Sequence, residues 1–563
     1  MKTAIWAITC LIAVLRLKIE HLTQKPILYF TKMAVVINQS LSLLLTPEGR
    51  RELRKMNIQM TKRALNLCSL NSFSLANQFL QGTQSCLQLA VLKLHGLNDK
   101  HILTLAKKYN VLYPWSFQYG SQRFLMNQRF VSFPLIIVYP ETKKDVSFFI
   151  SFCRKYEFKL GIRSGGHCFE NFPLQCEIIL DTSFLTLDVP KACCKNYVKA
   201  TVKLDCLSNI VHVSPGARLG VIYNKLNKYG LTIPAGICPS VGIGGYASSG
   251  LGYWVRKYGY LCDNITEYEI AIADGSVIKL NSNQNTDLFR AYKGAGNGNF
   301  GVLTRISIQA YHHPKVTFFN FTYNNSDAVS VAIAWQSFIQ TAPNDMAGSI
   351  LAPLAGLPTF SINGIFSFAD QNRAHDILKS HFTDLIPEIQ PTDSKISVLP
   401  YPEVQTLFSL EVPPFPFSKV RSNYYFEPIS PIGIATLFNL FTNPIFDITR
   451  GIGACQILSF GGAASQVPEE DSVIPVRKAI AWIQYVSFWN DQADTNTALS
   501  FVNNVYDQMQ AFVSPFAYFN YPDSELVDYL YQYFGNNVDF LQQVKVKYDP
   551  TNFFNYSQSI PLP

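Results

Sequence analysis

Charge is scarce in this chain. Asp, Glu, Lys and Arg make up 15% of its 563 residues, against about 25% in an ordinary soluble protein. Disorder needs low hydrophobicity with high charge. Here hydrophobic residues reach 48% and aromatics 13%, so most of the chain folds around large cores. Long apolar runs are also missing. The longest, Ala4–Leu15, spans 12 residues, short of the roughly 18–20 that a spanning helix needs. Lys2 precedes it, Arg16 and Lys18 follow, and no small-x-small cleavage pattern comes after. It reads as a signal peptide, a short anchor or the start of a buried helix. The first two readings lean toward a secreted or membrane-associated chain. No CxxC pair, HExxH helix or P-loop lysine signature occurs, so no zinc or P-loop phosphate site is expected. The 12 cysteines, Cys193 and Cys194 adjacent among them, are too sparse for a disulfide scaffold. Gly and Pro, 31 each, exclude a collagen-like or linker-rich chain.

What charge there is lies unevenly. Residues 1–110 carry 15 Lys and Arg against 4 Asp and Glu, a balance of +11, and the remaining residues carry 32 against 35, a balance of −3. A slightly acidic main body does not suit a nucleic-acid-binding enzyme. Thr46-Pro47-Glu48 reads as a helix start. Leu53, Met56, Met60, Ala64 and Leu67 follow at helical spacing, with Arg50, Arg51, Arg54, Lys55, Lys62 and Arg63 around them. Such a basic amphipathic helix either lies on an anionic membrane or a partner, or packs on the body with a solvated face. From about residue 112 short apolar runs (Leu135–Tyr139, Glu177–Leu180, Ile210–Val213) alternate with helix-like stretches (Lys144–Tyr156, Leu219–Tyr229), an α+β pattern. Further strands are expected at Val316–Tyr323, Gly364–Phe368, Cys455–Gly461 and Ile480–Phe488, and a loop-like tail from Tyr548. Asn38, Asn264, Asn320, Asn324 and Asn555 sit in N-x-S/T sequons.

Three stretches carry chemistry. Arg163-Ser164-Gly165-Gly166-His167 follows a strand pattern at Lys159–Ile162. Paired glycines admit close backbone approach, and consecutive N–H groups in such a turn make an anion-binding nest with Arg163 at its edge; a tight turn with an incidental His is the plainer reading. Pro234–Asp263 packs Gly236, Gly242, Gly244, Gly245, Gly250 and Gly252 around Cys238 and Val241, a density suited to backbone laid against a flat or phosphorylated ligand, or to a flexible loop. Asp287–Val302 contains Gly294, Gly296 and Gly298. A dinucleotide GxGxxG must follow a strand and open a helix. Here a helix precedes and a strand, Val302–Gln309, follows, so that motif is rejected.

In this order and spacing the three stretches resemble the flavin-linked oxidases of the vanillyl-alcohol-oxidase superfamily, in the branch of berberine-bridge-enzyme-like proteins and oligosaccharide oxidases. RSGGH, CPSVGIGGYASSGLG, DLFRAYKGAGNGNFG and the tail DPTNFFNYSQSIP at Asp549–Pro561 carry the likeness, with Tyr139-Pro140-Glu141-Thr142 at the entry. Ala295 and Asn297 stand where the family pattern has glycine. The resemblance covers about 112–563. It implies a two-subdomain FAD-binding fold of the PCMH type (111–311), an inserted substrate domain of antiparallel sheet covered by helices (312–515), a C-terminal segment returning to the FAD domain (516–563), and an unmatched basic helical extension (1–110). It also implies FAD attached twice, through His167 and Cys238, within a site of Arg163, Ser164, Gly165, Gly166, Val241, Gly242, Gly244, Gly245, Gly250, Asn299, Gly301 and Asn555. Val241 falls where the family gates oxygen access and resembles the oxygen-reactive members. Tyr521 matches the catalytic Tyr, with Tyr518 nearby, and Gln484 matches a second position, an acid or Gln. Gln cannot act as a base at neutral pH. The Lys some plant members carry two residues earlier is Trp482 here. The implied activity is oxidation of a small alcohol or sugar hemiacetal by oxygen, with release of hydrogen peroxide. Oxidation of aromatic or allylic alcohols or alkaloid-like amines, and a flavin-binding protein without turnover, are the alternatives.

Overall fold

The computed structural model describes residues 47–69, 83–187, 201–352, 357–409, 415–442 and 449–563. Ala4–Leu15, Asn38 and Cys193-Cys194 lie outside them. The chain divides into two compact units, Met1–Ser72 and Phe73–Pro563. The described part of the first is one helix, Pro47–Ser69, where the Pro at the first turn places it. Its Arg51, Lys55 and Lys62 are exposed. No helix among the described residues is long and apolar enough to cross a membrane.

The second unit contains three main sheets. The first has the order β1-β2-β4-β3, from β1 (Asn110–Leu112), β2 (Ile136–Tyr139), β3 (Leu160–Arg163) and β4 (Ile178–Asp181). β2 and β3 lie parallel to β4, which is buried along its whole length, and parallel strands covered on both faces read as continuous apolar runs. β1 pairs antiparallel with β2. The helices Thr83–Leu94 and Asp99–Lys108 belong to this unit as well. The stretch grouped as an extension up to residue 110 is thus divided at Ser72, because Leu89, Leu92, Ile102 and Leu105 are buried and Tyr113 donates to the Ile102 carbonyl.

The second sheet runs β5 (Val202–Asp205), β6 (Ile210–Val213), β10 (Val302–Gln309), β8 (Ile265–Ala271), β9 (Val277–Leu280), all antiparallel. A short ribbon pairs β7 (Leu231–Thr232) with β11 (Tyr311–His312). Between the first two sheets lies the helix Lys143–Lys155. Thr142 caps it by accepting from the Asp145 N–H, and Asp145 reaches back to the cap N–H, a capping box. Its Val146, Phe149, Ile150 and Cys153 are fully buried, and it packs on β4, β8 and β10.

The third sheet has seven antiparallel strands: β15 (Asp393–Leu399), β12 (Val316–Asn324), β14 (Thr359–Phe366), β13 (Met346–Ala352), β17 (Gly451–Ser459), β18 (Ala481–Trp489) and β16 (Phe417–Tyr425). Side chains alternate faces along a strand. On β18, Trp482, Gln484, Val486 and Phe488 line a cavity. Tyr485 and Trp489 point the other way, onto Tyr506 and Thr495 of the helix Thr495–Met509. Helices thus cover one face and leave the other free for a site. β14 starts at Thr359, upstream of the expected Gly364. Gly364 lies mid-strand, where a Cβ would sit 2.7 Å from the Phe319 ring; it makes room for a packed aromatic instead of turning the chain. Of the sequons, Asn264 is buried and donates to two carbonyls, and Asn320 lines the cavity, so neither can carry a glycan in the folded chain.

Candidate active site

A cavity of about 1040 Å³ lies where the two smaller sheets, the open face of the large sheet and the C-terminal segment meet. That exceeds the about 300–1,000 Å³ of ordinary small-molecule pockets, leaving room for a large ligand and a second, smaller one.

One end is built from the turn after β3. Arg163 closes the strand and is ion-paired with Asp181 at 2.5 Å. Its Nη1 donates to the Gln122 and Phe124 carbonyls and its Nη2 to Tyr139. Arg163 lines the cavity, but it braces the turn from behind. The turn is locked to the second glycine stretch by a backbone contact: a Cβ on Gly242 would sit 2.4 Å from the Gly165 nitrogen, and one on Gly165 would sit 2.3 Å from the Gly242 nitrogen. Only glycine fits either place. Gly242→Ala is expected to cost roughly 1–3 kcal/mol through overpacking, read by chemical denaturation. Gly166 needs glycine for a different reason, its φ of +74°.

His167 and Cys238 both open on this end. Burial lowers the His167 pKa to about 4, helped by the nearby Arg218 charge and opposed by the hydrogen bond to the Ser240 carbonyl. The imidazole is therefore neutral at pH 7. Cys238 is exposed on the cavity wall, and the protein around it raises its thiol above the ordinary value. Ser164, Gly244, Gly245, Gly301 and Asn555 line the same region. Val241 does too, turned in by a bond from its N–H to the Cys238 carbonyl.

Two expected site residues are not on the wall. Asn299 is wholly buried. Its Nδ2 donates to the Ala295 carbonyl, its Oδ1 accepts from the Ile560 N–H, and its carbonyl accepts from Lys545. It ties the C-terminal tail to the glycine loop. Gly250 lies behind the wall, where its φ of +79° and a Cβ position 2.5 Å from the Leu261 Cβ make it a structural turn. Glycine-rich sequence alone cannot separate residues that face a ligand from those that let the loop turn.

At the other end, Tyr521 and Tyr518 come from the C-terminal segment and Gln484 from β18. The Tyr521 ring is enclosed by Phe169, Trp482 and Tyr518, with centroids 5.0, 5.4 and 5.3 Å away. Its hydroxyl meets no partner among the described residues. The Tyr518 oxygen is engaged, accepting from the Leu251 N–H at 2.8 Å. Burial raises both phenols, Tyr518 to about 12 and Tyr521 further. A lowered Tyr pKa is thus not found here. Among the described residues no cation touches Tyr521, and Trp482 stands at the position where a Lys would supply one.

Sequence reading missed three groups. Gln456 on β17 accepts from Gln484 Nε2 at 2.8 Å. Ser248, Asn297 and Asn520 join in a polar triad with each contact at 2.8 Å. Behind Tyr521, Lys419 of β16 meets Glu170 and Asp523 at 2.9 and 2.6 Å, with Arg421 and Arg129 on the same carboxylates. Strand register joins Gln456 to Gln484, contacts between segments distant in sequence join the other two groups, and short motifs carry neither.

The histidine end fits the flavin cofactor implied by the motifs. The N–H groups of Gly165, Gly166 and His167 find no acceptor among the described residues, and a Cβ on Gly166 or Gly245 would meet nothing within 4 Å. These are donors and clearance for a phosphorylated ligand laid on backbone.

Comparison with known proteins agrees. The FAD binding domain family matches residues 134–281, and the berberine and berberine-like family matches residues 517–561. An uncharacterized FAD-linked oxidoreductase of Bacillus subtilis is 27% identical over 450 residues, covering 79% of this chain and 94% of the relative. Tetrahydroberberine oxidase of Berberis wilsoniae is 28% identical over 473 residues, covering 76% and 85%. The solved chitooligosaccharide oxidase superposes with a TM-score of 0.70 at 21% identity, covering 81% of this chain and 98% of that one. The chain is an FAD-linked oxidoreductase. Within that class it belongs to the berberine-bridge-enzyme-like branch of the vanillyl-alcohol-oxidase superfamily.

Proposed function

We propose that the protein is an oxidase that removes a hydride from an alcohol or sugar hemiacetal carbon and passes the electrons to oxygen, with FAD attached through His167 and Cys238. The observation that carries this reading is the layout of one cavity. His167 and Cys238 open on one end, and Tyr521, with a free hydroxyl, stands with Gln484 at the other. Bound FAD supplies the hydride acceptor that no side chain can. The residues do the rest. The substrate carbon loses a hydride as its hydroxyl proton passes to the Tyr521 oxygen, and the C–OH becomes C=O. Gln484 cannot take that proton, and its free carbonyl orients the hydroxyl. Two electrons and two protons then reduce oxygen to hydrogen peroxide. The neutral imidazole of His167 leaves a lone pair available for bonding, and Val241 leaves more room at the wall than a bulkier residue would.

Aromatic side chains at the substrate end, among them Phe360, Phe408 and Trp482, support aromatic or allylic alcohols as the second reading. Two experiments test the proposal. Protein denatured in acid should keep its yellow colour, and His167→Ala with Cys238→Ala should release all flavin to the supernatant. Flavin released from the unaltered chain sinks covalent attachment. Anaerobic mixing with a panel of sugars and alcohols should bleach the flavin, and admitting air should then release peroxide. Bleaching that air does not reverse, with no peroxide, marks a dehydrogenase.

A further inference from the structure

Gln484 does not stand alone. Its Nε2 donates to Gln456 Oε1 at 2.8 Å, and Gln456 Nε2 donates to Ser349 Oγ at 3.1 Å. Ser349 Oγ donates to Asn363 Oδ1 at 3.0 Å, where Tyr253 also donates at 2.7 Å. Gln484 and Gln456 thus each give an N–H to the next residue along, from the cavity wall toward the buried Ser349 and Asn363. The group left over at its head is the Gln484 carbonyl oxygen, which accepts from no described residue. A hydrogen-bonded chain that runs from half-buried Gln484 and Gln456 to buried Ser349 and Asn363 orients its members more firmly than isolated contacts do.

The sheet extends the pattern. In register, Thr322 faces Ser361, Ser361 faces Leu351, Leu351 faces Gln456, and Gln456 faces Gln484. All five line the cavity. At about 4.8 Å between strands they form a floor roughly 19 Å long. The first charged side chain along this row is Asp393, exposed on edge strand β15 beyond the cavity. Among the described residues that line the cavity, Arg163 is the only Asp, Glu, Lys or Arg, and Asp181 neutralises it.

We propose that Gln456 and Ser349 are positioning residues that hold Gln484 as a fixed hydrogen-bond acceptor, and that the site thereby selects uncharged, hydroxyl-bearing substrates. The inference rests on the oxidation reading above. A hydroxyl gives the Gln484 carbonyl a hydrogen bond, keeps its proton until Tyr521 takes it, and loses little on leaving water. A carboxylate meets a carbonyl oxygen and is repelled. An ammonium finds only a partial negative charge, too little to replace its hydration.

The test uses two matched trios with the flavin-loaded protein: glucose, glucosamine and glucuronate; benzyl alcohol, benzylamine and 4-(hydroxymethyl)benzoate. Anaerobic flavin reduction by only the neutral member of at least one trio supports the selection. Reduction by a charged member at equal or higher kcat/KM overturns this inference and leaves the oxidation reading standing. Silence from all six overturns both. With the reducing neutral ligand, Gln456→Leu should lower kcat/KM about tenfold at unchanged flavin content. Gln456→Asn keeps an uncharged amide with donor and acceptor and should lose less than Gln456→Leu. If Gln456→Leu does not fold, Ser349→Ala should move kcat/KM in the same direction. An unchanged kcat/KM in either folded variant overturns the positioning role.

Discussion

Replacing Lys419 by Met is expected to destabilise the second unit by about 3–5 kcal/mol, the cost of breaking a buried ion pair from one side. Lys419, Glu170 and Asp523 are 0%, 1% and 1% exposed at the side chain. Burial alone would lower the lysine pKa, but the charges of Asp523 and Glu170 outweigh it and the pKa is raised. The lysine is charged because two carboxylates need it. Arg421 and Arg129 complete the group on the positive side and half-buried Glu525 on the negative side, so three charges of each sign are joined. Without Lys419 two buried carboxylates face each other with too little positive charge. Unfolding in denaturant should show a fallen midpoint with an unchanged slope. Lys419→Met with Glu170→Gln should recover part of the loss, since it removes one stranded charge. A pair of near-neutral variants would mean that water reaches the cluster and screens it. The cluster also concerns function. Glu170 follows Phe169, whose ring packs on Tyr521, and Asp523 lies two residues beyond Tyr521. One group of charges thus joins the histidine turn, the edge of the substrate sheet and the C-terminal segment that carries Tyr521.

That cluster shows where the sequence stops being legible. Lys419 is 249 residues from Glu170 and 104 from Asp523, and no local pattern links them. Local patterns did carry much of the rest. β6 and β10 have the bounds their apolar alternation predicts, and the helix Lys143–Lys155 starts at the Thr142 cap. The glycine stretches located the cavity because backbone contact and positive φ demand glycine within a few residues of sequence. The same property places Gly250 at a turn rather than on the wall, and Asn299, implied by the family resemblance, ties down the tail. Arg163 was assigned to the nest edge on its charge, whereas Asp181, one strand away, claims it. Gln484 was found on its motif, while its partner Gln456 became visible only when β17 and β18 were paired.

Tyr521→Phe is expected to slow flavin reduction about 100-fold or more, the usual worth of a positioned proton acceptor, at unchanged flavin content. Several groups at the substrate end carry hydroxyls, and availability separates them. The Tyr518 oxygen already accepts the Leu251 N–H and contacts Asn520, so Tyr518→Phe should cost stability more than rate. Gln484 has no basic lone pair to offer at neutral pH. Of Tyr518, Gln484 and Tyr521, only Tyr521 offers a free hydroxyl on the wall. Its pKa is raised by burial first, and by the neighbouring Cys238 and Tyr518. The sign follows directly. The proton-accepting form is the phenolate, burial disfavours it, and its share grows as pH rises. Flavin reduction should therefore accelerate from pH 6 toward pH 10 in the unaltered chain, and the Phe variant should lose that slope. Stopped-flow reduction of the two proteins across this range reads both effects. An unaltered rate in the Phe variant moves the proton to Tyr518. A lost rate with the slope retained leaves Tyr521 to shape the site and puts the titrating group elsewhere.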